Sequence, residues 1–271
     1  MTDHPILERI AAALERIAPP PSAPVNPSAP AYVWGEQGLV TANSFSPLPI
    51  GQLTGIDVQR DAVLENCRRL AAGHAAHDIL LWGARGSGKS ALVKSCIAAL
   101  QNEGAEISLI ECAPDRISDL PRLFAAIAGW RRAVIIFIDD LAFEGQDQST
   151  RLLRSVLEGG ANARPAGARI YVTSNRRHIV ARDMAEQASA INPRDSVDDS
   201  LALADRFGLS LGFHVCDQET YLAMIAVYAK NYAFPFDPAG ALTWAAQRGA
   251  RSGRVAWHYA VECAGRLGRK I

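Results

Sequence analysis

The chain has 271 residues, 49% of them apolar and 21% charged, and its 28 basic and 28 acidic side chains leave a formal net charge of zero. That length supports one large domain or two modest ones with a full core, and the neutral balance gives no general pull toward nucleic acid or an anionic membrane. Cys67, Cys96, Cys112, Cys216 and Cys263 are widely spaced and form no C-x-x-C pair, which argues against a disulfide framework or a zinc site and favours a reducing compartment.

Residues 5–18 place Ile6, Ile10, Leu14 and Ile17 on one helical face, with Glu8, Arg9, Glu15 and Arg16 elsewhere. The two glutamates are foreign to a signal peptide, and no run approaches the ~20 apolar residues of a membrane span, so a cytoplasmic protein without a membrane segment is expected. This amphipathic N-terminal helix, residues 1–18, is a docking element for a macromolecular partner or folds back on its own domain; an apolar stripe shows that a surface is covered, not by what. Pro19, Pro20, Pro21, Pro24, Pro27 and Pro30 make residues 19–31 a stiff, extended linker. Residues 32–49 are mixed and turn-rich, with Trp34 and Phe45 expected to lie against the main domain and no strand assigned.

A helix over 58–72 leads to a strand at 78–82, to Gly83-Ala84-Arg85-Gly86-Ser87-Gly88-Lys89-Ser90, and to an apolar-periodic helix over 91–100. The pattern G-x-x-x-x-G-K-[ST] in a strand–loop–helix setting reads as a phosphate-binding loop. Its glycines let successive N–H groups converge on phosphate oxygens, and the helix adds the positive end of its dipole. The stretch from Gly83 to Ala91 is therefore expected to hold the phosphates of ATP or ADP, Lys89 reaching the β- and γ-phosphates and Ser90 binding Mg²⁺.

Further strands are expected at 106–110, 133–138, 169–173 and 209–213, helices at 118–127 and 148–158, and a polar loop at 187–199. Strand signals then stop, and helices over 218–231, 238–247 and 253–267 form a smaller C-terminal unit. Alternation of helix and strand predicts an α/β domain over residues 32–214 around a parallel sheet of five strands, followed by a helical unit over 215–271. The apolar run 133–138 ends at Asp139-Asp140, and an acid at the C-terminal edge of a parallel strand is the usual metal-side partner of a phosphate loop. Asp139 is the metal candidate, with Asp140 or Glu144 polarising the attacking water.

The order of these runs, with Thr173-Ser174-Asn175, Asp205-Arg206-Phe207-Gly208 and Arg251-Ser252-Gly253-Arg254, resembles an AAA+ ATPase. More narrowly, it resembles a bacterial family of uncharacterised AAA-type ATP-binding proteins through Gly55-Ile56-Asp57-Val58-Gln59, Asp139-Asp140-Leu141-Ala142-Phe143-Glu144 and Thr173-Ser174-Asn175-Arg176-Arg177-His178. The resemblance implies that the helical unit is a lid over the nucleotide. It also implies that Asn175 is the sensor-1 residue placing the hydrolytic water, that Arg206 is an arginine finger inserted into a neighbouring subunit's site, and that Arg254 is the sensor-2 contact to phosphate from the same chain. An Asn capping a strand end and a surface ion pair at Arg206 are the plain alternatives. Arg176 and Arg177 are further candidates for contact between subunits, and His178 for contact with the site.

The implied activity is that of a Mg²⁺-dependent ATP hydrolase working as a homo-oligomer, a ring or hexamer, on a macromolecular partner. Asp140 stands where most AAA+ proteins have Glu, which points to slow turnover and keeps a nucleotide-gated scaffold open. A nucleic-acid motor or loader would use the basic residues Arg248, Arg251, Arg254, Arg266, Arg269 and Lys270, whose other reading is a solvated helix face. A small-molecule kinase would need an acceptor pocket and a short Arg-rich lid, which the sequence does not show. The polar run 113–119 replaces the aromatic pore loop of unfoldases and gives no support to polypeptide threading.

Overall fold

A computed structural model describes residues 4–17, 25–142, 148–159, 164–175 and 204–271. Its centre is a seven-stranded sheet of β1 (Ala31–Gly35), β2 (Gly38–Thr41), β3 (Ile79–Gly83), β4 (Ile107–Cys112), β5 (Ala133–Ile138), β6 (Ala168–Ser174) and β7 (Leu209–Phe213), in the spatial order β2-β1-β4-β5-β6-β3-β7. Every pairing is parallel except the hairpin β1–β2. β5 is buried along its whole length, as its unbroken apolar sequence requires when both faces are covered. One face packs Leu80, Ile136 and Val172 against helices α4 (Leu120–Ile127) and α5 (Gln148–Leu157). The other packs Leu81, Ile135 and Tyr171 against α2 (Asp57–Ala71) and α3 (Lys89–Asn102).

The five strands expected from sequence are β3 to β7; the hairpin β1–β2 corrects the count to seven strands. These two strands are five and four residues long, and isolated hairpins of that size are marginal. They form because β1 pairs in parallel with β4, Val33 opposite Glu111, a partner far away in sequence. Tyr32 and Trp34 turn into the core while Val33 and Val40, opposite each other, face outward. Ala29 is buried as well, so the core takes in residues just ahead of β1.

The chain ends in α6 (Gln218–Tyr232), α7 (Pro238–Gln247) and α8 (Gly253–Arg266). Each has a side-chain N-cap, supplied by Asp217, Asp237 and Ser252, and the three share a separate core built on Tyr221, Ile225, Tyr228, Ala241, Ala256 and Ala260. Gly55 (φ 77°) brings the body against this unit, since a Cβ there would lie 2.3 Å from Thr220 Cγ2. The N-terminal helix α1 (His4–Ile17) presents Ile6 and Ile10 about half exposed. No helix of the described residues is long and apolar enough to cross a membrane. The expected loop at 187–199 lies outside the described residues.

Tyr32 tests how much the hairpin contributes. Its buried hydroxyl accepts from Ala29 N (2.9 Å) and donates to Asn26 O (2.5 Å). Tyr32→Phe strands a buried donor and should destabilise the fold by about 2 kcal/mol. The measurement is urea denaturation, with a lower midpoint and an unchanged slope expected.

Candidate functional site

The loop between β3 and α3 owes its path to three glycines with positive φ: Gly83 (126°), Gly86 (73°) and Gly88 (96°). Gly83 has no alternative, because a Cβ there would lie 2.1 Å from Phe213 O. The loop is pinned from both sides: Ala84 N donates to Phe213 O of β7 (3.1 Å), and Arg254 N, in the first turn of α8, donates to Gly86 O (3.2 Å). Gly88 is the N-cap of α3 and no side chain caps that helix, so its first-turn N–H groups are available to an anion. Ser87 Oγ is buried within the loop and has no hydrogen-bond partner among the described residues.

Lys89 opens α3 and is only 5% exposed. Its ammonium donates to Gly83 O (3.0 Å), Ala84 O (2.8 Å) and Asn175 Oδ1 (3.2 Å). Burial pushes the Lys89 pKa below its ordinary value against the opposing pull of Asp139 and Asp140, and Arg254 and Arg85 push the same way as burial. Ser90 Oγ donates to Asp139 Oδ1 (2.6 Å). A hydroxyl and a carboxylate side by side form a set of hard oxygen donors that suits Mg²⁺. The loop amides, the open Ser87 hydroxyl and this pair together fit a nucleotide with its metal.

Asp140 takes the left-handed conformation, φ 57°, uncommon for any residue but glycine and costing about 1 kcal/mol or more. Its N–H donates to Thr173 Oγ1 (2.8 Å), and its Oδ1 accepts from Asn175 Nδ2. Asn175 thus bridges Lys89 and Asp140 from the end of β6, the strand lying between β3 and β5.

These groups line a cleft of about 290 Å³ that continues between the body and the helical unit. Leu48, Leu53, Ile56, Met224, Tyr228 and Trp257 make its far end apolar, the character expected of a site for a flat aromatic base. Tyr228 and Trp257 meet edge to face, 5.5 Å apart. Gln52 also lines the cleft and accepts a hydrogen bond from the Tyr232 hydroxyl (3.1 Å). The run Gly55 to Gln59 now has a physical role: Gly55 admits Thr220, Ile56 lines the cleft beside Gly88, and Gln59 Nε2 donates to Gly212 O (2.8 Å), fixing the end of β7.

Of the residues singled out in the sequence, Lys89, Ser90, Asp139, Asp140, Asn175 and Arg254 come together on this cleft with loop residues Gly86, Ser87, Gly88 and Ala91. Arg206 does not. It precedes β7, which runs parallel to β3, so it stands at the sheet edge opposite the phosphate loop, ion-paired with Glu158. Glu144, Arg176, Arg177 and His178 lie outside the described residues. Several basic C-terminal residues have partners within the fold: Arg248 stacks on Trp244, Arg266 pairs with Glu262, and Arg269 donates to Tyr232 O. All five cysteines are free, and burial pushes the Cys67 and Cys112 thiols up to about 12, leaving them inert. Sequence reasoning gave no role to Thr173 or to the base-end residues. Thr173 had a signal in its position two residues ahead of Asn175, whereas the base-end residues come from separate elements that only the fold assembles.

The fold recurs in solved structures. The chain is similar to the Thermotoga maritima RuvB Holliday junction branch migration motor (17% identity, TM-score 0.51, 79% of this chain and 63% of that one). It is also similar to the Aeropyrum pernix Orc1 protein in complex with DNA (16%, 0.53, 83% and 66%) and to domain III of the Thermotoga maritima replication initiation protein DnaA (16%, 0.50, 82% and 91%). The chain thus spans somewhat less than two thirds of RuvB, and at these identities the likeness is one of fold, that of the AAA+ P-loop ATPases. No curated protein matches it. Residues 27–267, from just ahead of β1 to the end of the helical unit, match the family described as "Protein of unknown function (DUF815)", and the chain belongs to that family.

Proposed function

We propose that this chain is a Mg²⁺-dependent ATP-binding protein and an oligomeric ATPase that remodels or switches a macromolecular partner. The supporting observation is the convergence of Lys89, Ser90, Asp139, Asp140, Asn175 and Arg254 on one cleft whose other end is apolar. In this reading residues 83–91 cradle the phosphates of ATP or ADP, and Ser90 with Asp139 holds Mg²⁺, which supplies charge neutralisation at the phosphate oxygens. Lys89 trades its bonds to Gly83 O, Ala84 O and Asn175 Oδ1 for phosphate oxygens. Asp140 or Glu144 polarises the water that Asn175 helps to place, and Arg254 meets phosphate from its own chain.

Arg206 cannot reach the phosphate loop of its own chain from the opposite sheet edge, so the resemblance gives it a role in trans. An arginine brought to the γ-phosphate by a neighbour stabilises charge that spreads during transfer, making turnover depend on assembly. A second reading, a nucleotide-gated scaffold with little turnover, draws on Asp140, one methylene shorter than Glu and tied to Asn175. RuvB and the DNA-bound Orc1 keep a nucleic-acid motor or loader in view, while Arg248, Arg266 and Arg269, exposed and each with a partner on the helical unit, agree with a solvated helix face.

Four measurements test the reading. With γ-labelled ATP, label should appear in free phosphate; retention in ATP would favour the scaffold and label in a metabolite a kinase. Lys89→Ala should weaken ATP binding by roughly a hundredfold, as loss of charge-assisted bonds to phosphate implies.

Arg206→Ala should leave ATP affinity near normal and lower turnover by about 10³–10⁵. Mixing Arg206→Ala with Lys89→Ala subunits should then restore part of the activity, because each supplies what the other lacks at a shared interface. A mixture that co-assembles yet stays inactive makes Arg206 structural.

A further inference from the structure

We infer that Thr173 is a positioning residue: its side chain holds the Asp139 carboxylate and the left-handed Asp140 peptide in the arrangement that lets Ser90 and Asp139 take up a divalent cation together, an inference that rests on the nucleotide reading above. Thr173 is the next-to-last residue of β6, 2% exposed, in register with Leu81 of β3. β6 separates the phosphate-loop strand from the Asp139 strand, so a side chain here can reach the residues that follow both.

The hydroxyl of Thr173 is used in both directions. It donates to Asp139 Oδ1 (2.5 Å) and accepts from Asp140 N (2.8 Å). The carbonyl of the same residue accepts from Leu141 N (2.9 Å). Three consecutive residues after β5 are therefore fixed by one buried residue of the neighbouring strand, while Asp139 and Asp140 themselves are exposed.

Asp139 Oδ1 accepts from two hydroxyls, Thr173 Oγ1 and Ser90 Oγ. Ser90 keeps two lone pairs on Oγ while its proton stays on Asp139 Oδ1, so its oxygen can face a cation without releasing the carboxylate. Thr173 donates a second proton to the same Oδ1, which fixes the orientation of the carboxylate whether or not Ser90 moves. Its second bond supplies the acceptor for Asp140 N at a backbone conformation that few residues adopt. The preceding residues of β6, Ile170, Tyr171 and Val172, are fully buried, and packing alone would accept valine at 173; the hydroxyl is the chemical difference.

The test separates cation-dependent from cation-independent binding. Affinity for the non-hydrolysable analogue AMP-PNP is measured by calorimetry in EDTA and across a Mg²⁺ titration, for wild type, Thr173→Val and Thr173→Ser. Thr173→Val should leave the affinity in EDTA unchanged and move the Mg²⁺ midpoint upward by roughly tenfold to a hundredfold, the range for loss of a partner that orients a metal ligand. Thr173→Ser, which keeps the hydroxyl, should restore the wild-type midpoint. If the valine variant does not fold, Thr173→Cys, nearly the same size and a weak donor and acceptor, reads the same quantity and should shift the midpoint in the same direction. A folded valine or cysteine variant with the wild-type Mg²⁺ midpoint, or an equal loss of affinity in EDTA, overturns the role of Thr173 while leaving the nucleotide reading intact. A wild-type protein that binds no AMP-PNP overturns both.

Discussion

A lysine ammonium held almost out of water at the start of α3 is the constraint on which the rest of the arrangement depends. Burying such a charge costs several kcal/mol unless it is hydrogen-bonded and faces opposite charge. Lys89 meets both conditions: two loop carbonyls and Asn175 accept its hydrogen bonds, and Asp139 and Asp140 supply the field. Each demand falls on a different element. The carbonyls of Gly83 and Ala84 can turn inward only because Gly83 takes a φ of 126° against Phe213 of β7. The acids must end β5, and the amide must end β6 between them, which is what the order β5-β6-β3-β7 achieves.

The same loop is where the two halves of the molecule meet. Gly86 has Ser252 and Arg254 so close that a Cβ would come within 2.9 Å of Ser252 Oγ, and Gly253 approaches Gly86 O with equally little room. Gly55 against Thr220 and Gln52 against Tyr232 close the remainder of the seam. The helical unit therefore rests on the peptide groups of the glycine-rich loop. Arg254 N donates to Gly86 O, so the loop and the first turn of α8 are mechanically linked.

Much of this was legible in the sequence because it is local. The glycine-rich loop and the six-residue apolar run of β5 are each encoded within a few residues, and the expected helix bounds 238–247 coincide with α7. What escaped depends on partners far apart in the chain. Ala31 to Trp34 are all apolar and show no alternation with polar residues, and five residues beside a Gly-rich turn do not declare themselves until β4 is there to pair with. The base end of the cleft is drawn from residues 48–56 and 224–257, with no motif joining them. The carboxylate that meets Arg206, Glu158, comes from the end of α5, a pairing that residue type permits and only the fold selects.

Charge accounting at the cleft links its two ligands. The chain is neutral overall, and at the cleft Lys89 and Arg254 stand with Asp139 and Asp140, the lysine buried and both acids exposed. The loop amides would welcome an anion, but the two carboxylates beside them would oppose one, a repulsion that solvent weakens at exposed acids without removing it at close range. Lys89 cannot settle the conflict by itself, since a lysine drawn toward phosphate gives up its place between Asn175 and the acids. Asp139 is the group that needs a replacement cation, and Ser90 already stands 2.6 Å from it as the second oxygen donor. On the proposed reading, nucleotide and divalent cation support each other's binding, with Thr173 and Asn175 keeping the two acids in place while the lysine changes partners.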